Sequence, residues 1–386
     1  MSTSKYIWLY LISSYLLPAF SIATFLSLPP AQNYALLLPF FLLIAHRFIQ
    51  VADISILYFL SLNIFYILIA ASFGATDSMM LIVAYTLLAF NLLLIYNLSK
   101  VPDFIDIIPQ FFKFFFYLNF LYLIFQNIVL NLGMDSLSML HSNDFLQIAS
   151  SYSPTVFIEP FYRVTGLFNE SGPFTFYLII YSWFLFVTRS EDKLIKFLVV
   201  LSILIGGSKM GLLYLLCLLI VKTFGRLSTM IIPLMGTLFV YIYFNNKELL
   251  QILFFGRAGS VFKRYDESSE SLSRISDLPV FSFELSTYSS QAQALDFASL
   301  ILNNFGVLYF ILVLLFFVFI TLTLKLNLKN RVLFLCVLGL GLISNGSILI
   351  PQYSLLFILI FYINKINKFE TREYKNEKFI DHHTNL

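Results

Sequence analysis

The residues best suited to chemistry fall in three stretches. The first is Glu159-Pro160-Phe161-Tyr162-Arg163-Val164-Thr165-Gly166-Leu167-Phe168-Asn169-Glu170-Ser171-Gly172-Pro173, where an Arg and two Glu sit among glycines. The planar fork of Arg binds phosphate oxygens in pairs, and a positioned carboxylate takes a proton from a hydroxyl. Gly166 and Gly172 permit tight turns or close backbone approach to a ligand. Ser171-Gly172-Pro173 reads as a helix start, with Pro tolerated in the first turn. Such a start points free N–H groups outward, which suits a phosphate. A polar hairpin that only caps a helix accounts for the same residues, and the spacing leaves both accounts standing.

The second stretch holds Arg257, Lys263, Arg264 and Arg274, separated by Gly256, Gly259 and several Ser. These cations suit an anionic partner, but Asp266, Glu267, Glu270 and Asp277 lie close enough in sequence to pair with them in a solvated loop. The third is Gly206-Gly207-Ser208-Lys209-Met210-Gly211, where Lys209 offers a point charge for a phosphate or, more simply, for a lipid headgroup. His141 is a further candidate for proton transfer, or an ordinary loop histidine. Tyr162 and the neighbouring Tyr152, Phe157 and Phe161 have faces on which sugar rings stack, although aromatic residues are common at any membrane interface.

What must position these groups follows from composition. Of 386 residues 59% are hydrophobic and only 12% charged, against about 25% charged in a soluble domain. That leaves too little polar surface to cover a water-facing globule. Apolar runs recur along the whole length at about the 20 residues that hydrocarbon requires of a helix. They predict spans at 6–26, 31–45, 54–73, 78–98, 107–130, 173–188, 194–207, 211–225, 228–245, 297–322, 332–349 and 353–364. Backbone groups in lipid must bond within their own segment, so these runs are helices. The expected fold is therefore all-α, a polytopic transmembrane bundle of about twelve spans forming a single integral membrane domain over 1–386.

Basic residues orient the bundle. With the N-terminus inside, Lys5, Arg47, Lys100, Lys113, Arg189, Lys193, Lys196, Lys222, Arg226, Lys325, Lys329 and Arg331 fall in inner segments, and both termini are cytoplasmic. The run at 6–26 lacks a small-residue cleavage pattern and is read as a retained span. Two outer loops are long, 131–172 and 246–296, and a polar cytoplasmic tail occupies 365–386. The three chemically suited stretches all fall on the outer side.

Several function classes are disfavoured. A net charge of +3 is too small to suggest nucleic acid. No acidic residue or His stands at mid-span, where ion-coupled transporters place them. Inner loops are too short for a domain that binds a sugar nucleotide, and no metal-binding or phosphate-loop motif occurs. Cys217 and Cys336 lie inside apolar runs and read as small apolar side chains.

Arg163-x-x-Gly166-Leu167-Phe168-Asn169-Glu170-Ser171 resembles the R-x-x-G-x-F-x-E-P-S signature of bacterial polysaccharide (O-antigen) polymerases of the Wzy type, relatives of the O-antigen ligases. Gly207-Ser208-Lys209-Met210-Gly211 resembles the S-R-x-G element that follows it in that family. The sequence departs from the pattern with Ser171 in place of the family Pro and Lys209 in place of Arg. The resemblance implies a glycosyltransferase of the bacterial inner membrane that acts in polysaccharide biosynthesis at the periplasmic face. It would use an undecaprenyl-pyrophosphate-linked oligosaccharide, with no metal or other cofactor and a chain-length regulator as a possible partner besides the lipid bilayer. On this reading Arg163, Glu170, Arg257 and Lys209 are the expected catalytic residues. Gly166, Asn169, Ser208, Arg264, Arg274, Tyr162, Glu159 and His141 are the expected substrate contacts. A lipid-linked oligosaccharide flippase and an O-antigen ligase are the alternatives.

Overall fold

The computed structural model describes residues 3–12, 53–72, 76–132, 156–158, 161–162, 171–206, 208–245, 297–324, 326–344 and 353–367. Their helices are α1 (Thr3–Leu11), α2 (Ile54–Ser72), α3 (Thr76–Leu98), α4 (Phe104–Asn131), α5 (Ser171–Val187), α6 (Lys193–Ile205), α7 (Lys209–Phe224), α8 (Ser228–Asn245), α9 (Phe297–Thr323), α10 (Leu328–Ser344) and α11 (Tyr353–Asn367). From 54–73 onward, each predicted span starts within about a turn of an observed helix start, and α1 opens the first span. The run at 31–45 lies outside the described residues. One element was not expected: β1 (Val156–Ile158) pairs antiparallel with β2 (Phe161–Tyr162), and β2 lies against α4.

Four stretches among the described residues are long and apolar enough to cross a membrane: Ile54–Ser72, Phe104–Val129, Lys209–Leu238 and Phe305–Thr323. Tyr85–Leu98, Phe174–Val187 and Tyr353–Asn367 are shorter apolar helices. Two of the long stretches contain helix interruptions that glycine makes possible. Gly225 (φ 54°) ends α7, and Gly306 (φ 83°) kinks α9 near its start. Both lie where a Cβ would be strained.

The outer surface identifies the solvent. In α2 the inward residues Ile56, Phe59, Asn63, Tyr66 and Ala70 recur at helical spacing. The other face is also apolar, with Leu57, Ile64, Phe65 and Leu68 exposed. Leu121 on α4, Met230 and Leu234 on α8 and Leu322 on α9 are each more than 60% exposed. Exposed apolar side chains repeated over helix after helix would not stay soluble in water. This is a membrane protein built of apolar helices.

At the centre stands α5, whose side chains from Phe174 through Leu185 are all buried. It packs against α6, α7 and α10, and its aromatic residues reach α4 and α11. A helix that is apolar all round belongs in the interior. The α4–α5 seam is aromatic: Tyr177 packs edge-on to Phe115 at 5.0 Å, and its hydroxyl donates to the Phe112 carbonyl at 3.3 Å. Polar side chains tie other helices together. Tyr309 on α9 donates to Asn63 Oδ1 on α2 at 2.6 Å. Asn91 on α3 accepts from Tyr10 on α1 at 2.9 Å and donates to Ser354 on α11 at 3.1 Å. Apolar burial does not drive helices together in lipid, so such bonds and close packing take its place.

Candidate functional site

Two of the three chemically suited stretches end at neighbouring helix starts. α5 begins at Ser171, immediately after Glu170, and α7 begins at Lys209. The contact between them is close because Gly211 has no side chain. A methyl group at Gly211 would lie 2.7 Å from Ile203 Cγ2 on α6 and 3.1 Å from Thr175 Cγ2 on α5. A Cβ at Gly206, which ends α6, would stand 3.9 Å from Phe174 Cε1. The end of α10 approaches the same region, where a methyl at Gly341 would sit 2.4 Å from Phe176 Cζ and 3.0 Å from the Tyr353 hydroxyl. Glycines therefore let α6, α7 and α10 close around the first turns of α5.

The start of α7 has an uncommon local chemistry. Ser208 occupies the cap position with extended backbone (φ −85°, ψ 128°) and is buried, yet its hydroxyl makes no capping bond. Leu212 N–H donates back to the Ser208 carbonyl at 3.1 Å, the first rung of the helix ladder. Lys209, half-buried, is the first helical residue. A cation there opposes the positive end of the helix dipole. An anion would be favoured by both, with Lys209 adding its charge to that of the helix start.

The opposite end of α5 is chemically different. Asp192 caps α6, accepting from Ile195 N–H at 3.0 Å, and pairs with Lys113 of α4 at 3.3 Å. The Ile195 N–H, and behind it Lys113, hold the Asp192 carboxyl below its ordinary range. At this end Lys365 donates to the Val101 carbonyl and stands over Phe104, and Lys100 lies 3.9 Å from the Tyr96 ring centre. Lys209 is thus separated by the length of α5 from the Lys113–Asp192 pair.

Of the residues expected to form the site, Lys209 and Ser208 fall together at this helix start. Tyr162 is in β2, which lies against α4. Arg163, Gly166, Asn169, Glu170, Glu159, His141, Arg257, Arg264 and Arg274 lie outside the described residues. Among the described residues no group of three His, Cys, Asp or Glu is placed to hold a metal ion. Sequence reasoning passed over Thr175, Phe176 and Gly341, which shape the α5 start. The signal for Thr175 and Phe176 was the run from Phe174 to Val187, apolar on nearly every face of a helix, whereas nothing in the sequence marked Gly341.

No protein-family model, no curated protein and no solved structure matches this chain.

Proposed function

We propose that this chain is a polysaccharide polymerase of the Wzy type, a multi-pass enzyme of the bacterial inner membrane. It would have about twelve spans, the number its apolar runs suggest. It transfers a growing glycan from undecaprenyl pyrophosphate to the non-reducing end of a new lipid-linked repeat unit. One observation carries the reading: the helix start at Ser208-Lys209 packs on the first turns of α5, the helix that follows Arg163–Glu170 directly. The two motifs, some forty residues apart in sequence, lead into helices that touch where Gly211 meets Thr175, and this contact supports a shared site.

In this reading an acceptor sugar hydroxyl attacks the anomeric carbon of the donor. The bond from that carbon to the pyrophosphate oxygen breaks, and lipid pyrophosphate leaves. Glu170 takes the hydroxyl proton, with Glu159 and His141 as the other acids or bases within the first loop. Arg163, Arg257, Arg264 and Lys209 face the leaving group, where negative charge gathers. In a water-poor site such cations lower the barrier strongly, and loss of one costs about 3 kcal/mol, roughly a hundredfold in rate.

The test is to express Arg163→Ala, Arg257→Ala and Lys209→Ala separately in a polymerase-deficient host and read glycan length on gels. Each variant is expected to leave mostly single repeat units attached. Wild-type ladders from all three at normal protein levels would refute the site. Absence of any repeat unit on the surface in a null strain would point to a flippase, and polymerised chains left on the carrier to a ligase.

A further inference from the structure

Four cations gather at the end of the bundle away from Lys209. Lys222 lies in the last turn of α7, Arg226 in the 3-10 turn Gly225–Leu227 that follows, and Lys329 and Arg331 in the first turn of α10. That 3-10 turn and α7 both pack against α10. The two helices run in opposite directions, because Gly211 near the start of α7 and Gly341 near the end of α10 both meet the first turns of α5. At the helical rise of 1.5 Å per residue, Lys222 and Arg331 both lie about 16 Å from those contacts. Trp183 meets Phe334 at 5.4 Å, which sets the start of α10 beside the far end of α5. The Leu324 carbonyl, just past α9, accepts from Arg331 at 3.0 Å and positions its guanidinium. No Asp or Glu occurs in α5 through α10. Elsewhere at this end cations are answered: Lys113 pairs with Asp192, and Lys365 donates to the Val101 carbonyl. None of these four makes an ion pair among the described residues. Beside them the surface is apolar. Leu219 stands one turn from Lys222, Leu335 one turn from Arg331, and both are exposed.

We propose that this edge binds an anionic phospholipid, its phosphate held by Lys222, Arg226, Lys329 and Arg331 and its acyl chains laid along Leu219 and Leu335. A charged rim below an apolar wall matches the two parts of such a lipid. Cations clustered at helix ends attract acidic headgroups, and Arg grips phosphate oxygens in pairs. A zwitterionic lipid carries its own ammonium beside the phosphate, which four unanswered positive charges oppose. An acidic lipid brings the negative charge that α5 through α10 lack. Seated across α7 and α10, it would hold together the ends of two helices whose other ends close on α5. The site stands independently of the proposed function, since it uses only the cationic end of the bundle and the lipid around it.

The experiment places the full chain in phosphatidylcholine nanodiscs doped with phosphatidylglycerol that carries a diazirine high on one acyl chain. Illumination is expected to label peptides containing Leu219 or Leu335 above all others. Unlabelled phosphatidylglycerol should suppress that labelling, inorganic phosphate should not, and a diazirine phosphatidylcholine should show no preference for these peptides. Native mass spectrometry then counts the phosphatidylglycerol that the protein retains. Lys222→Gln/Arg226→Gln changes two exposed side chains. It should weaken binding roughly thirtyfold, because each cation near an acidic headgroup is worth about fivefold. Lys5→Gln/Lys100→Gln removes the same charge from exposed positions in α1 and after α3, and should leave binding unchanged. Labelling spread evenly over the exposed helices, equal labelling by the two lipids or displacement by inorganic phosphate would each overturn the proposal. So would full binding by Lys222→Gln/Arg226→Gln, equal losses from the two double variants, or a lipid-free dimer.

Discussion

Replacing Gly211 with Ala tests whether the contact between α5 and α7 sets the position of Lys209. The added methyl would stand 2.7 Å from Ile203 Cγ2 and 3.1 Å from Thr175 Cγ2. Restoring an ordinary carbon–carbon separation of about 3.5 Å requires something to give by about 0.8 Å. Ile203 is β-branched and fully buried, so its rotamer has little freedom. The start of α7 therefore moves instead. Over-packing of this kind costs about 1–3 kcal/mol, offset by about 1 kcal/mol because Ala favours a helix over Gly. The net loss of stability is small, and the variant should still reach the membrane. If Lys209 serves the proposed reaction, activity should suffer more, because a displacement near 1 Å at a reacting centre costs about a hundredfold. The assay pairs thermal unfolding in detergent with glycan length in a polymerase-deficient host. The expected result is near-normal protein level with ladders collapsed toward single units. Ile203→Leu removes the clashing methyl, so Gly211→Ala/Ile203→Leu should recover length that Gly211→Ala loses. Full-length ladders from Gly211→Ala, or no recovery in the double variant, would refute the reasoning.

Asn91→Leu removes two interhelical bonds, to Tyr10 and Ser354, and should lower the midpoint of unfolding in mixed micelles by an amount equivalent to about 1–2 kcal/mol. An unchanged midpoint would mean that these bonds contribute nothing net. The Asp192 carboxyl is held below its ordinary range, so its stabilising contribution is full above the unfolded value of about 3.9 and is lost as pH falls through the lower folded value. Melting temperatures of wild type and Asp192→Asn should therefore differ at neutral pH and converge in acid. A gap that persists in acid would assign the effect to something other than the charge.

The helices were legible because a single physical demand writes them into the sequence. A segment in hydrocarbon must close its own backbone bonds, and does so over a run of apolar residues. That demand places α2 through α11 closely, as the agreement between the run at 54–73 and Ile54–Ser72 illustrates. It is blind to which helix is central. The runs at 173–188 and 228–245 look alike in composition, yet α5 is buried throughout its middle while α8 presents Met230, Leu234 and Leu238 outward. Lipid and protein interior are equally apolar, so hydropathy cannot separate them. The separating features are steric. Around α5 stand Gly206, Gly211 and Gly341, each allowing a neighbour to approach, whereas a Cβ at Gly236 of α8 would meet nothing within 4 Å.

The same distinction bears on how much of the candidate site was legible. Lys209 stood out as a cation among glycines, but its chemistry depends on a geometric fact: Ser208 is buried at the cap and does not cap. An ordinary capping serine would satisfy one of the first N–H groups and is worth about 1 kcal/mol. Here that contribution is absent, and a lysine follows where the helix dipole favours an acid. Both are local costs, and both would be relieved by an anion at the helix start. If the cost serves function, Lys209→Glu should stabilise the helix start while abolishing chain extension. If Lys209 only contacts lipid headgroups, the same substitution should leave extension intact.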